Sequence, residues 1–324
     1  MPFVLDNLLR CAKKLTRNSL SIIMREVCKL KAGRFIFRSY SRSSRSFSEI
    51  SKPITANSSV FENINVDERI CYLKKDGFAL GFNLPQAIVQ EIYEFALDNP
   101  CYGNRKPNLG FYYADKLKVQ ANYKKSIAVG SYYNTASLCP AIKKLESDPI
   151  LLEIAAKYLE ATPVHQGNQL WWSFPVDSTI YERRRAAQVF YTDSDEARIL
   201  KFFFYLTDVD LCSSPRVCVR GSHLKKKLSH LFLRKGRSHQ EIAEYYGYEN
   251  IVPLCGKAGF GFVEDSNCFY KATPPGSKER LVLQIEFADK DYKRQNDLID
   301  ASQLECISKL DETTHDKQVH HETV

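Results

Sequence analysis

The chain lacks any uninterrupted apolar run approaching the roughly 18 residues that a membrane-spanning helix requires, and no uncharged secretory segment stands near its start. The expectation is a protein that does not cross a bilayer. Cys-x-x-Cys pairs are missing too. The 10 cysteines, from Cys11 to Cys306, are scattered along the chain. Such scatter reads as reduced thiols in a cytosolic or matrix compartment, not as a disulfide framework or a zinc ribbon. The body of the protein also lacks a basic excess. Residues 1–60 hold 12 Lys/Arg against 3 Asp/Glu, and the remainder holds 34 against 35, so the formal charge of +8 belongs to the N-terminus. Without cations gathered on one face the body has no means of releasing counterions from a phosphate backbone, and no nucleic-acid partner is expected.

What is present describes a globular chain. Its 324 residues are 44% hydrophobic and 12% aromatic, enough for a substantial core. Residues 1–38 form a basic extension. Within it, residues 4–31 repeat Leu5, Leu8, Leu9, Ala12, Leu15, Leu20, Ile23, Val27 and Leu30 at helical intervals between lysines and arginines. Three readings fit this amphipathic helix: docking on its own domain or a partner, adsorption to an anionic membrane surface, or a mitochondrial transit peptide ending near Arg38-Ser39-Tyr40-Ser41. The corresponding locations are the cytoplasm, there peripheral to a membrane, or the matrix. Residues 39–59 carry nine serines without an apolar period and read as a linker.

A folded domain is expected over residues 60–290. Gly77 to Leu80 reads as a short strand. A helix from Pro85 to Leu97 turns Ile88, Val89, Ile92, Phe95 and Ala96 to one side, with Pro85 in its first turn. A second helix opens with Asp148 as N-cap and Pro149 behind it, carrying Leu151, Ile154, Ala155, Tyr158 and Leu159 inward. Residues 102–135, rich in Tyr, Lys, Gly and Asn, read as a long loop of the kind that covers active sites. From residue 169 the apolar runs are short and β-branched or aromatic: Leu170–Phe174, Ala187–Thr192, Leu200–Val209, Val217–Val219, Gly259–Val263 and Leu281–Phe287. This is a mainly β pattern of the barrel or jelly-roll kind, interrupted by one helix over 239–246 with a Ser238/Glu241 capping box and a Gly247 stop. Residues 291–324 read as a polar tail.

Five motifs occur in order between residues 67 and 288: Leu73-Lys74-Lys75-Asp76-Gly77-Phe78, Gln188-Val189-Phe190-Tyr191-Thr192-Asp193, Lys201 through Asp210, Gly221-Ser222-His223, and Phe269-Tyr270 through Pro275 ahead of Arg280. In this order they resemble the phytanoyl-CoA hydroxylase family of iron(II)- and 2-oxoglutarate-dependent oxygenases. The resemblance implies a double-stranded β-helix with helices packed outside it. It also implies that Tyr191, Asp193 and Tyr270 stand where active relatives place His, Asp and His around iron, and that Arg280 stands where an arginine pairs with the far carboxylate of 2-oxoglutarate.

Both imidazoles are therefore replaced. Two neutral imidazoles and one carboxylate leave open positions on iron(II), whereas a phenol with an ordinary pKa of about 10 must lose a proton to ligate. The expected arrangement is two phenols filling the cavity and hydrogen-bonding Asp193, with no metal, or with Asp193 as the one retained ligand. His223, together with Asp193 or Asp265, is a weaker substitute ligand set, because the resemblance places that histidine in a turn. Arg280 either binds a carboxylate or pairs with Glu279 or Glu286. Trp171 and Trp172 face opposite sides of a strand, one toward the core and the other free to line the pocket mouth with Gln188. Lys225-Lys226-Lys227 reads as a solvated run, with coenzyme A phosphates as an alternative partner. His230 and His239 read as solvated, and His315, His320 and His321 as tail.

Three functions follow. The first is a ligand-binding or altered-chemistry member that lacks standard hydroxylation and takes a small carboxylate or lipid-like ligand without a cofactor. The second is an active dioxygenase that hydroxylates a lipid or small metabolite with iron(II) in atypical ligation and 2-oxoglutarate. The third is a membrane-surface scaffold recruited through residues 4–31.

Overall fold

A computed structural model describes residues 59–122, 126–175, 189–193, 198–227, 236–272, 277–293, 295 and 297–307. The basic extension, nearly all of the Ser-rich linker, Gln188, His230 and the three tail histidines lie outside the described residues. Among the described residues no helix is long and apolar enough to cross a membrane. The eight described cysteines are free thiols.

Thirteen strands and seven α-helices are described. The helices are α1 Val66–Asp76, α2 Gln86–Asp98, α3 Lys116–Asn122, α4 Thr135–Leu138, α5 Pro140–Glu146, α6 Pro149–Leu159 and α7 His239–Tyr246. Strands β1 Phe78–Leu80, β2 Cys101–Gly103, β3 Gly110–Phe111, β4 Val129–Ser131, β5 Val164–Ser173, β7 Ile199–Tyr205, β11 Gly261–Asp265 and β13 Arg280–Ala288 form one sheet in the order β1-β11-β7-β13-β5-β4-β2-β3. Strands β8 Arg216–Val219, β10 Ile251–Leu254 and β12 Tyr270–Ala272 form a second sheet, β10-β8-β12. A Tyr191↔Tyr270 bridge brings β6 Val189–Phe190, itself paired with β9 Arg237–Ser238, alongside β12. From β5 onward the chain passes between the sheets, with β5, β7, β11 and β13 in the large one and β6, β8, β10 and β12 in the small layer. All pairings in both sheets are antiparallel. This is a double-stranded β-helix with flanking helices, a mainly β, α+β architecture.

The centre of the large sheet is covered on both faces, and strand period two sorts its residues. Phe202, Phe204, Leu281, Leu283, Ile285 and Phe287 enter the larger core with Val89 and Ile92 of α2 and Leu151, Ile154 and Ala155 of α6. Their strand neighbours Phe203, Tyr205 and Val282 pack instead with Cys218 and Leu254 of the small sheet. This double burial leaves β7 and β13 without an exposed position.

Several helix signals act as read. Asp148 caps α6, accepting from the backbone N–H groups of Ile150 at 2.9 Å and Leu151 at 3.4 Å. Ser238 accepts from Glu241 N–H at 3.1 Å, and Gly247 ends α7 at φ 90°. Pro85 occupies the N-cap of α2 instead of its first turn. Helix α1 was not anticipated, although Asn65 caps it and Gly77, at φ 86°, closes it in the left-handed region that glycine adopts freely.

Two expectations are corrected. The described part of 102–135 is not one loop, because β2, β3 and β4 extend the large sheet and α3 lies between β3 and β4 in the chain, with its Val119 in the main core. These strands are only two or three residues long, too short to show an alternation. The tail does not begin at 291. Asp297 is buried, Asn134 N–H donates to its carbonyl at 2.6 Å, and Gly110 N–H donates to Glu305 O at 2.9 Å. A Cβ at Gly110 would lie 2.6 Å from that same oxygen, so the close return of the chain requires glycine there.

Asp148 also accepts from Ser59 Oγ at 3.0 Å and Val60 N–H at 2.8 Å, so one buried carboxylate both starts α6 and fastens the beginning of the domain. Asp148→Ala is expected to destabilise the fold by about 2–3 kcal/mol, more than loss of a simple cap, and Asp148→Asn by less. Urea denaturation of both variants checks the order.

Candidate functional site

The space between the two sheets holds a cavity of about 440 Å³. Its large-sheet wall is built from successive cross-strand rows. Arg280 lies opposite Ser173. Val282 is flanked by Trp171 and Tyr205, Gln284 by Gln169 and Phe203, and Glu286 by Gly167 and Lys201. Arg216 and Tyr270 of the small sheet face them across the cavity.

The three residues singled out around a metal position do not converge. Tyr191 and Tyr270 exchange backbone hydrogen bonds at 2.8 and 2.9 Å, which places their backbones side by side. Their rings then part. Tyr270 turns inward and donates from its hydroxyl to Asp193 Oδ1 at 2.9 Å. Tyr191 is 50% exposed, with its ring against Gly236, so only one of the two expected phenols reaches the carboxylate. The other Asp193 oxygen is taken by Lys201, whose Nζ lies 2.5 Å from Oδ2 and 3.1 Å from Glu286 Oε1. Burial presses the Asp193 carboxyl upward, but Lys201, Arg216 and Tyr270 together hold it below its ordinary value. Burial likewise opposes the Lys201 ammonium, and Glu286 and Asp193 outweigh it and raise its pKa. Tyr270 is pushed up to about 12, by burial first and by Asp193 in addition, while Arg216 and Lys201 oppose. It stays a phenol.

This donor set does not fit iron(II). The facial site of such oxygenases needs two neutral imidazoles beside a carboxylate. Here one oxygen of the Asp193 carboxylate is held by a phenol that resists deprotonation, and the other by an ammonium, a cation already seated on the ligand. Among the described residues no group of three His, Cys, Asp or Glu is placed to hold a metal ion.

Arg216 and Arg280 are in contrasting states. Arg216 makes a two-pronged pair with the fully buried Glu264, Nε to Oε2 and Nη2 to Oε1 both at 2.9 Å, and its guanidinium lies 3.4 Å from the centre of the Tyr270 ring. Arg280 is 5% exposed and has no acid partner among the described residues. The two acids offered as its alternative are engaged elsewhere: Glu279 with Lys116 at 2.5 Å and with the Tyr113 hydroxyl, Glu286 with Lys201. Arg280 donates to Ser214 O and, at 3.5 Å, to Ser173 Oγ, while its Nε is buried without a partner. Burial, opposed by Tyr205 and reinforced by Arg216, lowers its pKa, although a guanidinium remains charged at any physiological pH.

Trp172 is core: it is stacked on Tyr113 and donates to the Tyr132 hydroxyl at 3.0 Å. Trp171 lines the cavity. His223 lies outside the cavity wall, with Nε2 3.2 Å from Lys74 O, and Asp265 takes the Tyr158 hydroxyl at 2.6 Å, so neither joins Asp193. His239 is half-buried against Phe190 and not fully solvated. Lys225, Lys226 and Lys227 line neither of the described cavities. Sequence reasoning missed Arg216 and Glu264, and it did not join Lys201 to Asp193 or to Glu286. A lysine inside the run Ile199–Tyr205, and polar residues at alternate positions of β13, were the available signals.

No family model and no curated protein matches the chain. Among solved structures, AviO1 from Streptomyces viridochromogenes matches at 16% identity with a TM-score of 0.46, over 71% of this chain and 97% of its own. The non-heme alpha ketoglutarate dependent epimerase SnoN from nogalamycin biosynthesis matches at 13% and 0.48, over 69% and 83%. HygX from Streptomyces hygroscopicus, with nickel, 2-oxoglutarate and hygromycin B bound, matches at 12% and 0.47, over 68% and 86%. At these identities and scores they assign no activity, ligand or metal to this chain.

The depressed Asp193 contributes stability above the unfolded carboxyl value of about 3.9, lost as pH falls through its lower folded value. The raised Lys201 contributes below about 10.4, lost as pH climbs through its higher folded value. Lys201→Met leaves Asp193 and Glu286 buried without their cation, and is expected to cost about 3–5 kcal/mol near pH 8. Near pH ~5 the penalty shrinks, because Asp193, losing the cation that holds its carboxyl down against burial, takes up a proton in the folded state more readily. Urea denaturation of wild type and variant at the two pH values measures this.

Proposed function

We propose that the protein is a metal-independent binder of carboxylic acids, using the interior of a double-stranded β-helix as its pocket. The observation that carries this reading is Arg280: a buried guanidinium in a cavity wall, without an acid partner among the described residues and with an unpaired Nε. A buried charge without a counterion is costly, and a bidentate carboxylate is the ligand that a guanidinium fork matches best. The motif order that resembles the phytanoyl-CoA hydroxylases supports the same use of Arg280. The Lys201 ammonium on Asp193 argues against iron chemistry at the adjoining position.

The test is calorimetric titration with 2-oxoglutarate and with small mono- and dicarboxylates, with and without a chelator, combined with a succinate-release assay in the presence of iron(II). Carboxylate binding indifferent to the chelator, with no succinate formed, is the expected result. Arg280→Gln should weaken binding about 10- to 100-fold, the worth of a charge-assisted pair, while Arg280→Lys retains part of it and guards against misfolding as the cause. Stoichiometric iron with succinate formation, or binding indifferent to both substitutions, overturns the reading.

A further inference from the structure

The cavity wall presents its unused binding groups in a fixed order along one strand. Two residues of strand separate each row from the next, about 7 Å. In the first row stands Arg280, opposite Ser173. In the second, Trp171 lines the cavity, yet its indole stacks on no ring and donates no hydrogen bond among the described residues, unlike its neighbour Trp172. In the third, Gln284 gives its amide N–H to Glu286 at 2.5 Å, which leaves its carbonyl oxygen without a donor among the described residues. Gln169, opposite Gln284, accepts from Arg105 at 3.5 Å, which leaves its own amide N–H groups without an acceptor there. The third row thus offers one acceptor and one donor, side by side. Beyond it the fourth row is closed to an incoming group, because Lys201 is held by two acids.

From this order we infer that the ligand is an elongated aryl carboxylic acid whose far end carries a hydroxyl. The inference rests on the carboxylate reading of Arg280 and extends it. The acid group pairs with the guanidinium, and the flat body lies on the free face of Trp171, with Tyr205 across the same row. The hydroxyl meets both glutamines at once, giving its proton to Gln284 and accepting from Gln169, a pairing that neither a methyl nor a bare ring edge can make. About 13 Å of strand separates the charged row from the amide row, which calls for a body of more than one ring.

The probes are hydroxybiphenyl carboxylate, with its hydroxyl and carboxylate at opposite ends, biphenyl carboxylate without the hydroxyl, and decanoate. Binding is followed by calorimetry and by quenching of tryptophan fluorescence. In the wild type the hydroxylated probe should bind about fivefold more tightly than biphenyl carboxylate, the worth of a net hydrogen bond. Decanoate should bind about tenfold more weakly than biphenyl carboxylate, the worth of the ring stack. Gln284→Leu should erase the first difference and Trp171→Leu the second, and Arg280→Gln should weaken all three probes. Thermal melts report folding, and Gln169→Leu, at a partly exposed site, replaces Gln284→Leu if that variant does not fold. Equal binding of the three probes, or differences that persist in the variants, overturns the aryl-acid assignment while leaving carboxylate binding intact. Binding indifferent to Arg280→Gln removes both.

Discussion

Burial of β7 and β13 on both faces is the constraint from which the rest of the molecule follows. A strand in that position has no solvent side, so each residue must satisfy either the helix layer or the interior between the sheets. The helix side is uniformly apolar and supplies the main core. The other side carries Lys201, Arg280, Gln284 and Glu286 into the interior, where a polar group is tolerated only with a partner or a ligand.

Most of these charges are matched internally. Lys201 is shared by Asp193 and Glu286, and Arg216 is locked to Glu264 across the two sheets. Buried pairs of this kind contribute little net stability against an apolar alternative, but removing one member leaves a stranded charge, so they fix the geometry of the interior. Against that matched background Arg280 stands out through its unpaired Nε. The same matching holds at Asp193, where Lys201 supplies, from within the chain, the positive charge beside the carboxylate.

Strands β5, β6, β7, β8, β11 and β13 were legible because their runs are aromatic and β-branched with turn residues between them, whereas β9, β10 and β12, two to four residues long, were not. Helix α2 was legible from its apolar spacing, and α6 and α7 because caps and apolar spacing agreed. Helices α4 and α5 were not, being four and seven residues long and lacking side-chain caps. Of the four residues singled out by motif order, Tyr270 and Arg280 line the cavity and Asp193 accepts from the Tyr270 hydroxyl. Motif order did not reveal that the Tyr191 ring leaves the cavity, since backbone pairing fixes where a side chain starts but not which rotamer packing selects. The pairing of Lys201 with Glu286, and of Arg216 with Glu264, joins residues far apart in sequence, and no local pattern announces such partners.

The return of residues 305 and 306 to Gly110 has a consequence for the sheet as a whole. Strand β3 is the outermost strand on its side, and an uncovered row of amides there would be a template for a strand from another molecule. Glu305 occupies the Gly110 amide, and Cys306 lies in parallel register beside that residue. A short stretch of polar chain thereby guards this border against self-association.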